Sequence, residues 1–104
     1  MITISGLDNT SYTLRKTSVA TALTDNDSIL LCTPTASFTV TLPLADPAMP
    51  GQVFYVTQSN AAGFVTLAGS GGATIDGTAT LAVAGATTKA AVKVVSDGTN
   101  WFTF

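Results

Sequence analysis

The chain has 104 residues, 46% of them hydrophobic and only 10% charged, with a formal net charge of −2 and no histidine. Its only cations are Arg15, Lys16, Lys89 and Lys93, too few for the basic stripe that phosphate neutralisation needs, so no nucleic-acid partner is expected. The absence of histidine excludes Ser-His-Asp and Cys-His catalysis as well as imidazole metal sites, and the lone Cys32 excludes an intrachain disulfide.

Nothing reads as a helix: Val, Ile, Thr, Phe and Tyr dominate the periodic segments, and Gly and Pro interrupt them often. Short strands are expected at residues 2–4, 11–14 and 28–33, joined by Asp8-Asn9 and by Thr24-Asp25-Asn26-Asp27. Residues 1–24 are polar and weakly periodic, so they are either an N-terminal arm or the first strands of a domain formed by residues 25–104. Phe38-Thr39-Val40-Thr41-Leu42 alternates apolar and hydroxyl side chains without exception, the pattern of a half-buried strand. Pro43, Pro47, Pro50 and Gly51 then impose a loop, because each proline lacks an amide donor.

Residues 52–58 carry apolar side chains on both faces around Phe54 and Val56, which predicts a deeply buried strand. Asn60-Ala61-Ala62-Gly63 reads as a hairpin connection to a return strand at residues 64–68. Gly69-Ser70-Gly71-Gly72 is a loop, Asp76-Gly77 a turn, and residues 78–83 and 87–95 are strands. Asp97-Gly98-Thr99-Asn100 turns the chain into a last strand, Trp101-Phe102-Thr103-Phe104, whose Phe104 is expected to pack. The sum is an all-β domain of seven to nine short strands, a small antiparallel sandwich or barrel, jelly-roll-like. No apolar stretch approaches the roughly 20 residues of a membrane helix, and the first residues lack the basic and apolar regions of a signal peptide. A surface so poor in charge fits burial against further copies of the chain or a stable partner, and a homotrimer is expected.

The run Phe38 to Pro43, followed by Pro50-Gly51-Gln52, Val65-Thr66-Leu67, Ile75-Asp76-Gly77 and Ser96-Asp97-Gly98-Thr99-Asn100-Trp101-Phe102, resembles the small β-modules of tailed-bacteriophage virion proteins. Such modules occur in tail fibres, head fibres and capsid decoration (cement) proteins, and the resemblance covers residues 36–104. It implies a trimeric, non-enzymatic structural protein of the virion, without cofactors, whose partners are copies of itself and the major capsid protein. A chain that begins at Met1 and ends just after its closing strand fits a capsid decoration protein better than a long fibre. The alternative is a tail- or head-fibre tip that binds a host surface glycan.

Several residues bear on these readings. Pro43, Pro50, Gly51, Asp76, Gly77, Asp97, Gly98 and Asn100 are structural turn positions. Phe38, Val40, Leu42, Phe54, Val56, Trp101, Phe102 and Phe104 are the candidates for packing or an interface. Trp101 beside Asp97 and Asn100 is either a sugar-stacking tip or an aromatic anchor of the sheet, and the anchor is the simpler reading. Asp25-Asn26-Asp27-Ser28 has oxygen ligands enough for calcium, but without the regular ligand series and Glu of an EF-hand loop it reads as an Asx-type turn. Cys32 reads as a small core residue. Asp76 and Asp97 are explained by their turns rather than as a glycosidase carboxylate pair. Arg15-Lys16 is an exposed pair or a contact to an acidic capsid surface.

Overall fold

The computed structural model describes residues 2–3, 11–47, 50–59, 62–83 and 90–104. Eleven strands and no helix are present among them: β1 (Ile2–Thr3), β2 (Ser11–Tyr12), β3 (Leu14–Thr17), β4 (Thr21–Ala22), β5 (Ile29–Cys32), β6 (Phe38–Thr41), β7 (Val53–Gln58), β8 (Val65–Ala68), β9 (Thr80–Ala82), β10 (Ala90–Ser96) and β11 (Trp101–Thr103). The all-β expectation holds. The turn expected at Asp8-Asn9, and residues 4, 60–61 and 87–89 of the expected strands and hairpin, lie outside the described residues. Of the two readings for residues 1–24, residues 14–22 supply strands of the sandwich, and Leu23 is in its core.

The antiparallel, jelly-roll-like arrangement is corrected. One sheet has the order β11-β10-β7-β5-β3 and the other β4-β6-β8-β9, beside a two-stranded β1-β2 ribbon. From β3 to β8 the chain changes sheet at every connection, so strands that follow a full circuit stack in parallel: β3 on β5 on β7, and β4 on β6 on β8. The β1-β2 ribbon is antiparallel, and after β8 the chain turns back, with β9 antiparallel to β8, and β10 antiparallel to β7 and β11. A period-2 pattern is common to both kinds of ladder, which is why alternation found the strands but not their partners. The hairpin expected around residues 60–63 is replaced by a crossing, because β7 and β8 belong to different sheets.

Between the sheets lies a core that includes Leu30, Val40, Phe54, Val56, Leu67 and Trp101, all fully buried. Phe54 and Trp101 meet with ring centroids 5.5 Å apart at 46°, a tilted aromatic pair. The core also holds a polar group. Gln58 is fully buried at the end of β7, and its Nε2 donates to the Gly63 carbonyl at 2.6 Å while its Oε1 accepts the Val65 N–H at 3.2 Å. Both ends of the amide are thus satisfied, and the crossing from β7 to β8 is fastened to its own side chain.

This crossing stacks on the one from β5 to β6. Phe38 N–H donates to the Phe64 carbonyl at 3.0 Å, and the Ser37 hydroxyl accepts the Phe64 N–H at 2.9 Å. Approach is so close that a Cβ on Gly63 would stand 2.3 Å from the Ala36 carbonyl carbon. Gly63→Ala should therefore force backbone apart and destabilise the domain by about 1–3 kcal/mol. Urea unfolding of this variant checks that figure.

Candidate functional site

The carboxylates serve the fold first. Asp76 and Gly77 have φ of 51° and 86°, and Ile75 and Thr78 exchange both backbone hydrogen bonds around them. This is the two-residue hairpin turn that needs φ > 0 at both central positions, which an Asp-Gly pair tolerates. Asp76 also reaches the edge of β11, where its carboxylate accepts the Thr103 N–H at 2.9 Å and the Thr103 hydroxyl. At the other turn, Asp97 Oδ1 accepts the N–H groups of Thr99 at 2.9 Å and Asn100 at 2.8 Å. Asn100 Oδ1 then accepts the Thr74 N–H at 3.0 Å, and Gly98, with φ 97°, lies against Pro47. Gly51, with φ 92°, donates its N–H to the Ser96 carbonyl at 2.7 Å. Asp76 and Asp97 thus sit in separate turns whose donors account for both.

Arg15 departs from the expected exposed pair. It occupies an inward-facing position of edge strand β3, in register with buried Leu30. Its guanidinium spans the sandwich edge: Nη1 donates to the Thr21 hydroxyl at 3.0 Å and Nη2 to the Ala22 carbonyl at 3.1 Å. Nε and Nη2 bind the two oxygens of Asp27, each at 3.0 Å. Asp27 also accepts the Thr24 N–H at 2.8 Å and donates its own N–H to the Thr24 carbonyl at 3.0 Å, so the turn is closed back onto Thr24 and is not the Asx-type turn expected there. No group of three or more metal-ligating side chains is found among the described residues.

Partial burial works to raise the Asp27 carboxyl, but the Arg15 hydrogen bonds, the Thr24 N–H and the Arg15 charge together hold it below its ordinary range. Donation from the Thr103 hydroxyl and N–H lowers Asp76, and the N–H groups of Asn100 and Thr99 lower Asp97. Cys32 is buried in the core, and that burial pushes its thiol up to about 11, against a smaller opposing effect of Arg15. It is a core residue as expected, protonated at neutral pH.

Trp101 decides between its two readings. The indole is fully buried against Phe54, with its Nε1 lacking a hydrogen-bond partner, so no sugar can stack on it and it anchors the sheet. The remaining candidates divide. Val40, Leu42, Phe54 and Val56 are fully buried and Phe38 packs partly against them, whereas Phe102 and Phe104 are 40% and 61% exposed. The packed Phe104 is corrected: its N–H donates to the Lys93 carbonyl, which puts it opposite Lys93 on the outer face of the sheet. β7 is corrected likewise. Phe54, Val56 and Gln58 point inward, but Tyr55 between them points out.

That outer face is the feature the sequence reading missed. Leu14, Ile29, Tyr55 and Lys93 form one row across β3, β5, β7 and β10. Lys16, Leu31, Thr57 and Ala91 form a second, and Val53, Val95 and Phe102 a third. None of these eleven side chains is buried, and only Lys16, Lys93 and Thr57 are polar. Strand spacings give the face a projected area on the order of 400 Å², large for an apolar patch left open to water. A signal for it was present in the unbroken apolar run Ile29-Leu30-Leu31-Cys32, since a strand whose two faces are both apolar requires cover on both.

Toward β11 the face opens into a groove of about 600 Å³, lined by residues of both sheets, among them Tyr55, Leu81, Ala91, Lys93 and Phe104, with Asp76 and Thr103 beside them. The Lys93 ammonium stands 4.7 Å from the Phe104 ring centroid and 5.7 Å from that of Tyr55, close enough for cation–π attraction to both.

The three lowered carboxyls set the acid limit of the fold. Each binds its proton less readily when folded, so the unfolded chain takes up more protons as pH falls, and stability present above pH ~3.9 is lost below it. Thermal melts from pH 6 to pH 2 should show Tm falling mainly below pH ~4, and Asp27→Asn should flatten that fall.

No protein-family model matches the chain, and neither the curated proteins nor the solved structures include a significant match.

Proposed function

We propose that the chain is a structural protein of a bacteriophage particle, a capsid decoration protein that self-associates as a homotrimer and binds the outside of the head through the major capsid protein. The observation that carries this reading is the outer face of the five-stranded sheet, where apolar residues are open to water on parallel strands that need cover on both sides. A decoration protein has two such demands, one toward its neighbours and one toward the shell, and charge-poor faces suit long-lived contacts. Repetition around a symmetric shell multiplies modest contacts into firm attachment. The order of turn motifs from residue 38 to residue 102 supplies the link to virion modules. The fibre-tip alternative lost its leading platform with the burial of Trp101, and a glycan site would have to be built on Tyr55, Phe102 or Phe104.

Immunogold labelling of intact virions with an antibody against this chain tests the reading. Dense label over the whole head is the expected result. Label restricted to the tail tip or to fibres would replace it with the adhesin reading.

A further inference from the structure

The groove beside Lys93 has a counterpart elsewhere on the same molecule. After β6 the chain enters residues 43–47, where Pro43 and Pro47 restrict the backbone on either side of Leu44. Leu44 is 64% exposed, the second largest exposure among the large apolar side chains of the described residues, although one of its methyl groups lies over Gly71. Gly71 has φ 64° and a Cβ there would stand 2.4 Å from a Leu44 methyl, so Leu44 lies close over the 69–72 loop. Asp46 follows Leu44 closely and Asp25, whose Oδ1 accepts from Gln52 Nε2 at 3.0 Å, lines the same surface depression, placing two negative charges beside the protruding side chain. The groove offers an apolar floor with Tyr55, Ala91 and Phe104 and the Lys93 ammonium held between two aromatic rings, while the Asp76 carboxylate, which also lines it, is taken up by the Thr103 N–H and hydroxyl.

We propose that the groove receives the 43–47 loop of a second copy of this chain, with Leu44 seated against Tyr55 and Phe104 and the carboxylates beside it facing Lys93. The contact uses two different patches of one molecule, so it is heterologous, and each copy keeps a free groove and a free loop. Such contacts close into rings when the rotation allows, and a three-membered ring is the smallest that leaves no patch unsatisfied without two-fold symmetry. A face-to-face pairing of the same sheet surfaces would instead bring lysines of both copies together, which the charge distribution disfavours. The inference takes from the proposed function only that the chain self-associates, and it commits to which surfaces do so.

Two substitutions at non-buried positions separate the halves of the contact. Leu44→Asp spoils the loop and spares the groove; Lys93→Glu spoils the groove and spares the loop. Light scattering at tens of micromolar should find the wild type as a closed oligomer and each variant as a monomer, with association weakened by roughly 100-fold or more. An equimolar mixture of the two variants should then form a dimer, because one intact loop meets one intact groove and nothing remains to extend the assembly. Thermal melts of both variants confirm that they are folded. A monomeric wild type, a folded variant that keeps the wild-type mass, or a mixture of folded variants that stays monomeric would each overturn the proposal. These outcomes differ from failure of the decoration reading, which is decided by where label falls on the virion: head label with a wild-type-sized Leu44→Asp variant would remove this interface alone.

Discussion

The fold depends on satisfying the backbone each time the chain passes from one sheet to the other. A crossing from one sheet to the other leaves amides and carbonyls without ladder partners, and each such group that lies away from water costs free energy unless it finds a substitute. At the β7–β8 crossing the substitute is Gln58, whose amide replaces two ladder bonds from inside the core. From the β5–β6 crossing stacked on it, the Ser37 hydroxyl accepts the Phe64 N–H. Once these passages are fastened, the strands on either side stack in parallel with no freedom to slip, since a one-residue shift would turn Phe54 and Val56 outward.

Few charges are present, and four of those described are committed to this framework. Asp27 and Arg15 close the sandwich edge between β3 and β4, Asp76 caps the edge of β11, and Asp97 shapes the turn before it. Each acts by supplying hydrogen-bond partners to backbone or edge groups. What is left for the outer face of the five-stranded sheet is a set of apolar residues relieved only by Lys16, Lys93 and Thr57. The same economy of charge that builds the domain therefore leaves this face largely apolar, and the cation–π seat of Lys93 holds one of its few charges in place there.

Local chemistry was legible in the sequence where the cause is local. The Asp76-Gly77 and Asp97-Gly98 turns, the break at Pro43 to Gly51, the strand at residue 38 and the core positions of Val40, Leu42, Phe54 and Val56 all follow from φ preferences, missing amides and alternation, which neighbouring residues settle among themselves. β4 went unseen because two residues are too few to show a period, and β3 because Arg15 occupies an inward position that alternation assigns to an apolar side chain.

Alone, the sequence determined that this chain is all-β, where its Asp-Gly turns fall, and that its 104 residues hold neither a histidine nor an intrachain disulfide. Only the tertiary structure decided which strands are neighbours, that the early ladders are parallel, that Trp101 is an anchor, and that Tyr55, Phe102 and Phe104 face outward. The reason is physical: a strand's alternation states that one side must be covered, but pairing and facing are set by which crossings can satisfy their buried polar groups, and that is a property of segments far apart in the chain.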